Sequence, residues 1–198
     1  MWTEKDLLIA SSNPGKLREF KYLFLELGST VISQNELGIK TPEETGLSFV
    51  ENSILKARHA SKLGGMAALA DDSGLVVPAL DGAPGLFSAR YAGVAASAQE
   101  NLKKLLMDMS ELVGTERRAH FVCALTLIKH PEDPDPIVAI GTWGGTILNA
   151  SRGEGGFGYD PIFLPNGQMS TAAELAPEVK NKISHRGTAL ASLFEQIR

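Results

Sequence analysis

The alternation of short apolar runs with segments of helical periodicity constrains the fold of this chain most. Residues 7–10 form an apolar run typical of a buried strand, and apolar residues then recur at helical spacing from Leu17 to Leu27, until Gly28 stops the helix. The same change from strand to helical period recurs along the rest of the chain. This order predicts an α/β fold in which a mixed central sheet is flanked by helices.

Local signals place the other elements. Two helices begin at capping boxes, one at Ser48 and one at Ser97. Further strands are predicted at 66–70, 75–77, 121–129 and 137–148, and further helices at 175–182 and 189–197. The Asp-Asp-Ser-Gly segment 71–74 separates the first two of these strands, and a proline-bearing hairpin loop, 131–136, separates the last two.

Composition limits the classes of function. The 198 residues, of which 43% are hydrophobic and 21% charged, suffice for one sizeable core, so we expect a single domain over residues 1–198. A net charge of −4 gives no global field that would draw nucleic acid or an anionic membrane. Cys123 is the only cysteine, which excludes an intrachain disulfide. With no signal-peptide pattern at the N-terminus, we expect a cytoplasmic protein.

The loop that follows the first strand and opens the first helix is a candidate anion site. It comprises Ser11, Ser12, Asn13, Pro14, Gly15 and Lys16. Free backbone N–H groups and the helix dipole favour a bound anion there, and Lys16 adds a full positive charge. Leu17 stands where a Walker A loop carries Ser or Thr, so this is not that loop. An ordinary strand-to-helix turn fits the same residues equally well.

Adjacent carboxylates suggest a cation site. Asp71 and Asp72 directly follow an apolar strand, and ligand sites commonly form at strand ends in α/β sheets. Glu43 and Glu44 offer further carboxylates on a separate loop. Such oxygen ligands suit magnesium, which typically uses one or two carboxylates together with substrate phosphates and water. The alternatives are a plain turn at the aspartates and a solvated acidic loop at the glutamates.

Two later segments combine groups that suit a nucleotide. The glycine-rich segment 153–161 contains Phe157 and Tyr159, whose rings are candidates for stacking on a base, although a bend with both rings buried fits as well. Residues 180–187 concentrate three permanent cations and His185 in an otherwise acidic chain. This group could meet phosphate oxygens or a purine carbonyl, and a solvent-facing basic patch is its alternative.

Seven short motifs together carry a resemblance that spans nearly the whole chain. They are SSNPGK (11–16), PEETG (42–46), SFVENSILKA (48–57), ADDSG (70–74), GAPGLFSARYAG (82–93), GGFGYDP (155–161) and SHRG (184–187). In this order the chain resembles the inosine triphosphate pyrophosphatase family, in its bacterial branch. The resemblance implies two lobes with an active-site cleft between them, a homodimer, and Mg²⁺ as cofactor.

The resemblance also implies residue roles. Asp72 matches the general base that activates water, and Glu43 and Asp72 match the magnesium ligands, with Glu44 as a possible substitute ligand. The implied substrate-binding residues are Ser11, Ser12, Asn13, Pro14, Gly15, Lys16, Ser73, Phe157, Gly158, Tyr159, Asp160, Lys180, His185 and Arg186. The first six would bind phosphates, and the last three would read the purine and its phosphates.

The implied reaction is hydrolysis of non-canonical purine nucleoside triphosphates, ITP, dITP and XTP, to the monophosphate and pyrophosphate. Water would attack the α-phosphorus while Lys16 supports the leaving group. Donors at His185 or Arg186 would favour the 6-oxo group that adenine lacks. Two other readings stay open: a pyrophosphatase that acts on modified pyrimidine or methylated guanine nucleotides, and a nucleotide-binding regulator without turnover.

Overall fold

The computed structural model describes residues 4–11, 14–25 and 29–197. The strands are β1 (Asp6–Ala10), β2 (Thr30–Ser33), β3 (Ala68–Val76), β4 (Arg118–Ile128), β5 (Ile137–Ile147) and β6 (Phe163–Pro165). The helices are α1 (Pro14–Leu25), α2 (Phe49–Gly64), α3 (Ala98–Asp108), α4 (Pro177–Ile183) and α5 (His185–Ile197). No helix in these described ranges is long and apolar enough to cross a membrane.

The strands form one mixed sheet, as predicted. Its six strands run in the order β2-β1-β3-β4-β5-β6. β1 pairs in parallel with both β2 and β3, whereas β6 pairs with β5 in antiparallel. Side chains of β1 are buried on both faces, since Leu7 and Ile9 join one apolar cluster and Leu8 and Ala10 join another. An apolar run without polar alternation is what a strand covered on both faces requires.

The structure differs from the sequence prediction at the strands β2, β3 and β6. The two strand pieces predicted around residues 71–74 are one continuous strand, β3, because the aspartates within it are paired and buried instead of turning the chain toward water. β2 and β6 were not predicted, since they have only four and three residues and show too little periodicity. The predicted helix stop at Gly28 lies outside the described residues.

The chain divides into two compact units, and each has its own apolar core. The first unit comprises Met1–Asp72, Cys123–Ile140 and Ala189–Arg198, and the second comprises Ser73–Val122 and Gly141–Thr188. In the first unit, side chains of β1, α1, α2 and α5 contribute to two clusters. In the second, α3 packs with an aromatic group from β4, β5 and β6. The single catalytic domain and the cleft between two lobes stay predictions.

Candidate functional site

A cluster of lysines and carboxylates lies in the first unit at β3. We call it the lysine–carboxylate cluster; its members are Lys16, Glu44, Lys56, Asp71 and Asp72. Asp71 and Asp72 are consecutive on the strand, and each pairs with a different lysine. Lys16 Nζ donates to Asp71 Oδ1 at 2.6 Å, and Lys56 Nζ donates to Asp72 Oδ1 at 2.7 Å. Two neighbouring negative charges are thereby balanced separately.

Lys56 is the centre of this cluster. Its side chain is almost wholly buried, with 5% of the residue exposed, and its Nζ also donates to Glu44 Oε1 at 3.0 Å. One ammonium therefore holds Asp72 and Glu44 together. α2 positions it: the helix begins after Ser48, whose Oγ accepts the Glu51 N–H, and a left-handed Gly65 follows its last residue.

The charged groups of the lysine–carboxylate cluster shift the pKa values of their neighbours. Burial lowers the pKa of Lys56, but the charges of Asp72 and Glu44 outweigh it, so the net pKa is raised. Burial raises the pKa of Asp72, Lys56 opposes that effect, and Glu44 adds to it, so the net pKa of this carboxyl lies above its ordinary value. Asp72 is thus a stronger base than an exposed aspartate, and Lys56 keeps its charge.

The loop that carries the glutamates is fastened to α2. Asn52 Oδ1 accepts the Gly46 N–H at 2.8 Å, and a Cβ at Gly46 would lie 2.6 Å from that of Glu51, so only glycine fits this approach. Glu44 is half-buried and faces Lys56, whereas Glu43 is exposed. Of the two glutamates considered from the sequence, the structure brings Glu44 next to Asp72, through Lys56.

Asp71 is held from two sides. It is 3% exposed, its Oδ1 accepts from Lys16, and its Oδ2 lies 3.6 Å from Cys123 Sγ, which donates to it. Lys16 comes from the first turn of α1, so the predicted phosphate loop reaches the carboxylates of β3. Ser11 in that loop is buried and Gly15 half-buried, Pro14 begins α1, and Ser12 and Asn13 lie outside the described residues.

The carboxylate oxygens of the lysine–carboxylate cluster supply some of the ligands that a hard cation such as magnesium needs. Within the described ranges, no group of three or more His, Cys, Asp or Glu side chains is placed to hold a metal. Asp72 and Glu44 nevertheless point their oxygens at one common positive group. Two carboxylates are as many as magnesium commonly takes from a protein when substrate phosphates supply further oxygens. The residues therefore fit a cation shared with a phosphate substrate.

The second unit contains a cluster of cations around an aromatic ring. We call it the cation–aromatic cluster; its members are Phe157, Asp160, Lys180 and Arg186. Lys180 Nζ and Arg186 Cζ lie 5.1 and 5.8 Å from the centre of the Phe157 ring. Asp160 Oδ2 accepts from Lys180 Nζ at 2.6 Å and from the Phe157 N–H at 2.7 Å. Asp160 thus fixes the cation and the ring relative to each other.

Of the two rings in the glycine-rich segment, only Phe157 is open to a ligand. It is 41% exposed, whereas Tyr159 is 4% exposed and its hydroxyl donates to the Ser88 carbonyl at 2.9 Å. Burial raises the pKa of Tyr159 strongly, so this hydroxyl remains a donor. Gly156 and Gly158 both have positive φ, which lets the segment turn between the two rings.

The start of α5 presents the remaining candidates. Ser184 Oγ accepts the Gly187 N–H at 3.2 Å, as a helix N-cap does, and Gly187 approaches the Asn181 carbonyl too closely for any Cβ. Arg186 is 4% exposed, and its Nη2 donates to the Ser73 hydroxyl at 3.3 Å. His185 is also buried and stacks on aromatic rings of the sheet.

Lys56 was not predicted from the sequence, and Asp71 was considered only as one of two adjacent carboxylates for a cation, not as the partner of Lys16. Lys56 stood inside a recognised motif, but a lysine in a helix is ordinarily solvent-exposed. A signal was nevertheless present, because Lys56 lies four residues from both Asn52 and Ala60, which are buried. A lysine on the buried face of a helix needs an anionic partner, and consecutive aspartates on a buried strand supply one.

Comparisons with known proteins agree with this architecture. Residues 7–196 match the Ham1 family. The dITP/XTP pyrophosphatases of Pectobacterium atrosepticum and Photorhabdus laumondii are 52% and 51% identical over 192 residues, which cover 97% of this chain and 98% of each relative. The structure of a HAM1 protein from Coxiella burnetii is similar, with a TM-score of 0.91, 46% identity and coverage of 97% of this chain and 98% of that one. The chain belongs to the Ham1 family.

Proposed function

We propose that this protein hydrolyses non-canonical purine nucleoside triphosphates, ITP, dITP and XTP, to the monophosphate and pyrophosphate. The relatives named above are dITP/XTP pyrophosphatases. The observation that carries the proposal is the lysine–carboxylate cluster, in which a buried carboxyl of raised pKa, Asp72, shares one ammonium with Glu44. Such a carboxylate is suited to take a proton from water beside a phosphate group.

Asp72 is the proposed general base. It accepts a proton from a water molecule, whose oxygen then forms a bond to the α-phosphorus. The bond from the α-phosphorus to the bridging oxygen breaks, and pyrophosphate leaves with that oxygen. Lys16, which lies at the start of α1, stabilises the negative charge on the leaving group. Lys56 balances the charges of Asp72 and Glu44 so that both can stay near each other.

Mg²⁺ is the proposed cofactor, held by Asp72 together with Glu43 or Glu44. When bound, it neutralises the phosphate oxygens on which charge accumulates. Glu44 is the better placed of the two glutamates, because it already lies within 3.0 Å of the ammonium that Asp72 also contacts. Glu43 is exposed and would have to turn toward the cluster.

The cation–aromatic cluster is the proposed base site. The exposed Phe157 ring offers a stacking surface, and the cations beside it offer donors to a purine carbonyl. Hypoxanthine and xanthine have a 6-oxo acceptor, whereas adenine has a 6-amino group. A site built from donors leaves a polar group unpaired with adenine, and that loss disfavours it.

The test is release of pyrophosphate from ITP, dITP, XTP, GTP, ATP, dTTP, a methylated guanosine triphosphate and a modified pyrimidine triphosphate, with magnesium and with a chelator. We expect dITP, ITP and XTP to be preferred, and pyrophosphate rather than orthophosphate to be released. A preference for pyrimidine or methylated guanine nucleotides would favour the other class of pyrophosphatase. Binding without turnover of any nucleotide would favour the regulator.

Asp72→Asn tests the assignment of the base. The amide cannot accept the proton from water, so turnover should fall below detection while the fold is kept. Asp81→Asn is the matched control, since Asp81 is exposed and lies in a left-handed turn that Asn also adopts. Near-normal turnover by Asp72→Asn would remove Asp72 from the role of base.

The homodimer and the cytoplasmic location belong to the same proposal and rest on the resemblance and on composition. Light scattering after gel filtration tests the assembly: a mass of twice 21.2 kDa is expected. A mass of one chain across the working concentration range would contradict the dimer.

A further inference from the structure

We propose that Phe121 and Trp143 are positioning residues that fix the plane of the His185 imidazole and thereby sharpen the choice between purine bases. The inference rests on the proposed function, because it concerns the base that the enzyme prefers. All three residues belong to the second unit. Neither aromatic residue was considered a site residue from the sequence.

The His185 imidazole stacks on the Phe121 ring, and the Trp143 ring flanks this pair. The His185 and Phe121 ring centres are 4.8 Å apart and the planes differ by 12°. Trp143 lies at 6.3 Å and 20° from the same imidazole, and at 6.4 Å and 29° from Phe121. All three are at most 8% exposed. An imidazole that lies flat against Phe121, with Trp143 beside the pair, cannot turn about its last side-chain bond without losing these contacts.

The backbone of His185 is fixed as well. It is the first residue of α5, and Ser184 before it caps the helix through the Gly187 N–H. Gly187 in turn packs against the Asn181 backbone with no room for a side chain. The backbone therefore fixes the position from which the His185 side chain extends, and stacking on Phe121 fixes the plane of the imidazole. Ring N–H groups donate within that plane, so both together aim the donor.

His185 directly precedes Arg186 of the proposed base site, and the sequence predicts that both residues read the purine. Arg186 lies over the exposed ring of Phe157 and contacts the Ser73 hydroxyl. The N–H of the His185 imidazole, held in one plane, donates to the 6-oxo group of a purine but gives the 6-amino group of adenine nothing to donate to. An imidazole free to turn would present its N–H out of line with the carbonyl and would lose that preference. Holding the plane therefore keeps the preference for the 6-oxo group over the 6-amino group of adenine sharp.

The test compares the ratio of kcat/KM for dITP to that for dATP in a set of variants. Phe121→Leu removes the flat surface but keeps an apolar side chain, and we expect the ratio to fall by about two- to tenfold, the range that an aromatic stack is worth. The value of kcat for dITP should stay within about twofold of the wild-type value. The proposed general base, Asp72, and the proposed phosphate-binding residue, Lys16, both lie in the first unit. Phe121→Tyr, which keeps the ring, should keep the ratio.

Phe163→Leu is the matched control for damage to the aromatic core. Phe163 packs edge-on against Phe121 at 4.7 Å and also contacts Trp143 at 5.3 Å, and these two are its ring contacts within the described part of the chain. The same substitution there should lower stability and leave the ratio unchanged. Trp143→Leu is the second test variant in case Phe121→Leu does not fold, and its ratio should also fall.

A spectroscopic measurement checks the stack without activity. The ring current of Phe121 should shift the His185 ring protons upfield, and Phe121→Leu should move them downfield while Phe163→Leu moves them less. The chain has four histidines, so His185→Gln assigns the resonance.

The outcomes separate the two proposals. A wild type that does not prefer dITP to dATP overturns the proposed function and this inference with it. If the wild type prefers dITP and the folded Phe121→Leu and Trp143→Leu proteins prefer it as strongly, the inference alone is overturned. The same holds if Phe163→Leu lowers the ratio as much as Phe121→Leu does, because the effect would then be general core damage.

Discussion

Replacing Lys56 by methionine tests the central contact of the lysine–carboxylate cluster. Methionine is close to lysine in length and lacks the ammonium that touches Asp72 at 2.7 Å and Glu44 at 3.0 Å. Because the lysine side chain is only 7% exposed, water cannot readily replace it. Two carboxylates would be left facing each other with their shared positive charge removed.

The magnitude follows from these distances. At an effective dielectric constant of about 20, the two contacts amount to a gross attraction of about 6 and about 5.5 kcal/mol. Desolvation of the buried ammonium offsets much of that attraction. Breaking one side of a buried ion pair costs about 3–5 kcal/mol, and the part-exposed Glu44 places the expected loss in the free energy of unfolding near the lower end, about 3 kcal/mol.

The assay is urea unfolding at pH 7 in a chelator, so that no divalent cation can take the place of the ammonium. Lys62→Met is the matched control, because Lys62 lies on the same helix and is exposed; its loss should be within about 0.5 kcal/mol. A loss below about 1 kcal/mol in Lys56→Met would refute the view that this lysine holds the cluster together.

The dependence on pH gives a second check. The pKa of Lys56 is raised above its ordinary value of 10.5, so its contribution is fully present below that pH and is lost as pH rises through the folded-state pKa. The difference in the free energy of unfolding between wild type and Lys56→Met should therefore become smaller above about pH 10.5. Lys56 is also the chief influence that lowers the pKa of Asp72, so the acidic limb of kcat/KM should move to higher pH in the variant. An unmoved limb would argue against Asp72 as the titrating base.

Three further predictions concern the second unit. Arg117→Met should lower the free energy of unfolding by about 2–4 kcal/mol, because the Arg117 guanidinium donates to four backbone carbonyls. Urea unfolding measures this loss, and Arg118→Met is the control because Arg118 is exposed. Gly156→Ala should raise KM for dITP more than Gly158→Ala, since both have positive φ but only a Cβ at 156 would overlap the carboxylate that binds Lys180; equal effects would contradict this. Burial and, after it, hydrogen bonding to a carboxylate raise the pKa of Tyr91 to about 12. The free energy of unfolding should therefore fall between pH 10 and 12 in the wild type and fall less in Tyr91→Phe, as measured by urea unfolding at each pH.

Local features of the sequence determined most element positions. α2 and α3 begin where their capping boxes predicted, at Ser48 and Ser97, because a cap depends on residues within one turn. β1 was recognised because its four buried residues are consecutive. β3 was divided wrongly, because Asp71 and Asp72 look like a turn when their lysine partners are unknown. Those partners are 55 and 16 residues away in sequence, beyond the reach of any local pattern.

The sequence by itself determined the α/β class and drew attention to Lys16, Asp72 and the segments around Phe157 and His185. Periodicity, capping and residue chemistry are local properties, and they are readable from neighbours along the chain. Only the tertiary structure decided that Lys56 joins Asp72 to Glu44, and that Tyr159 is core while Phe157 is exposed. These depend on burial and on long-range charge pairing, which arise only when distant segments pack together.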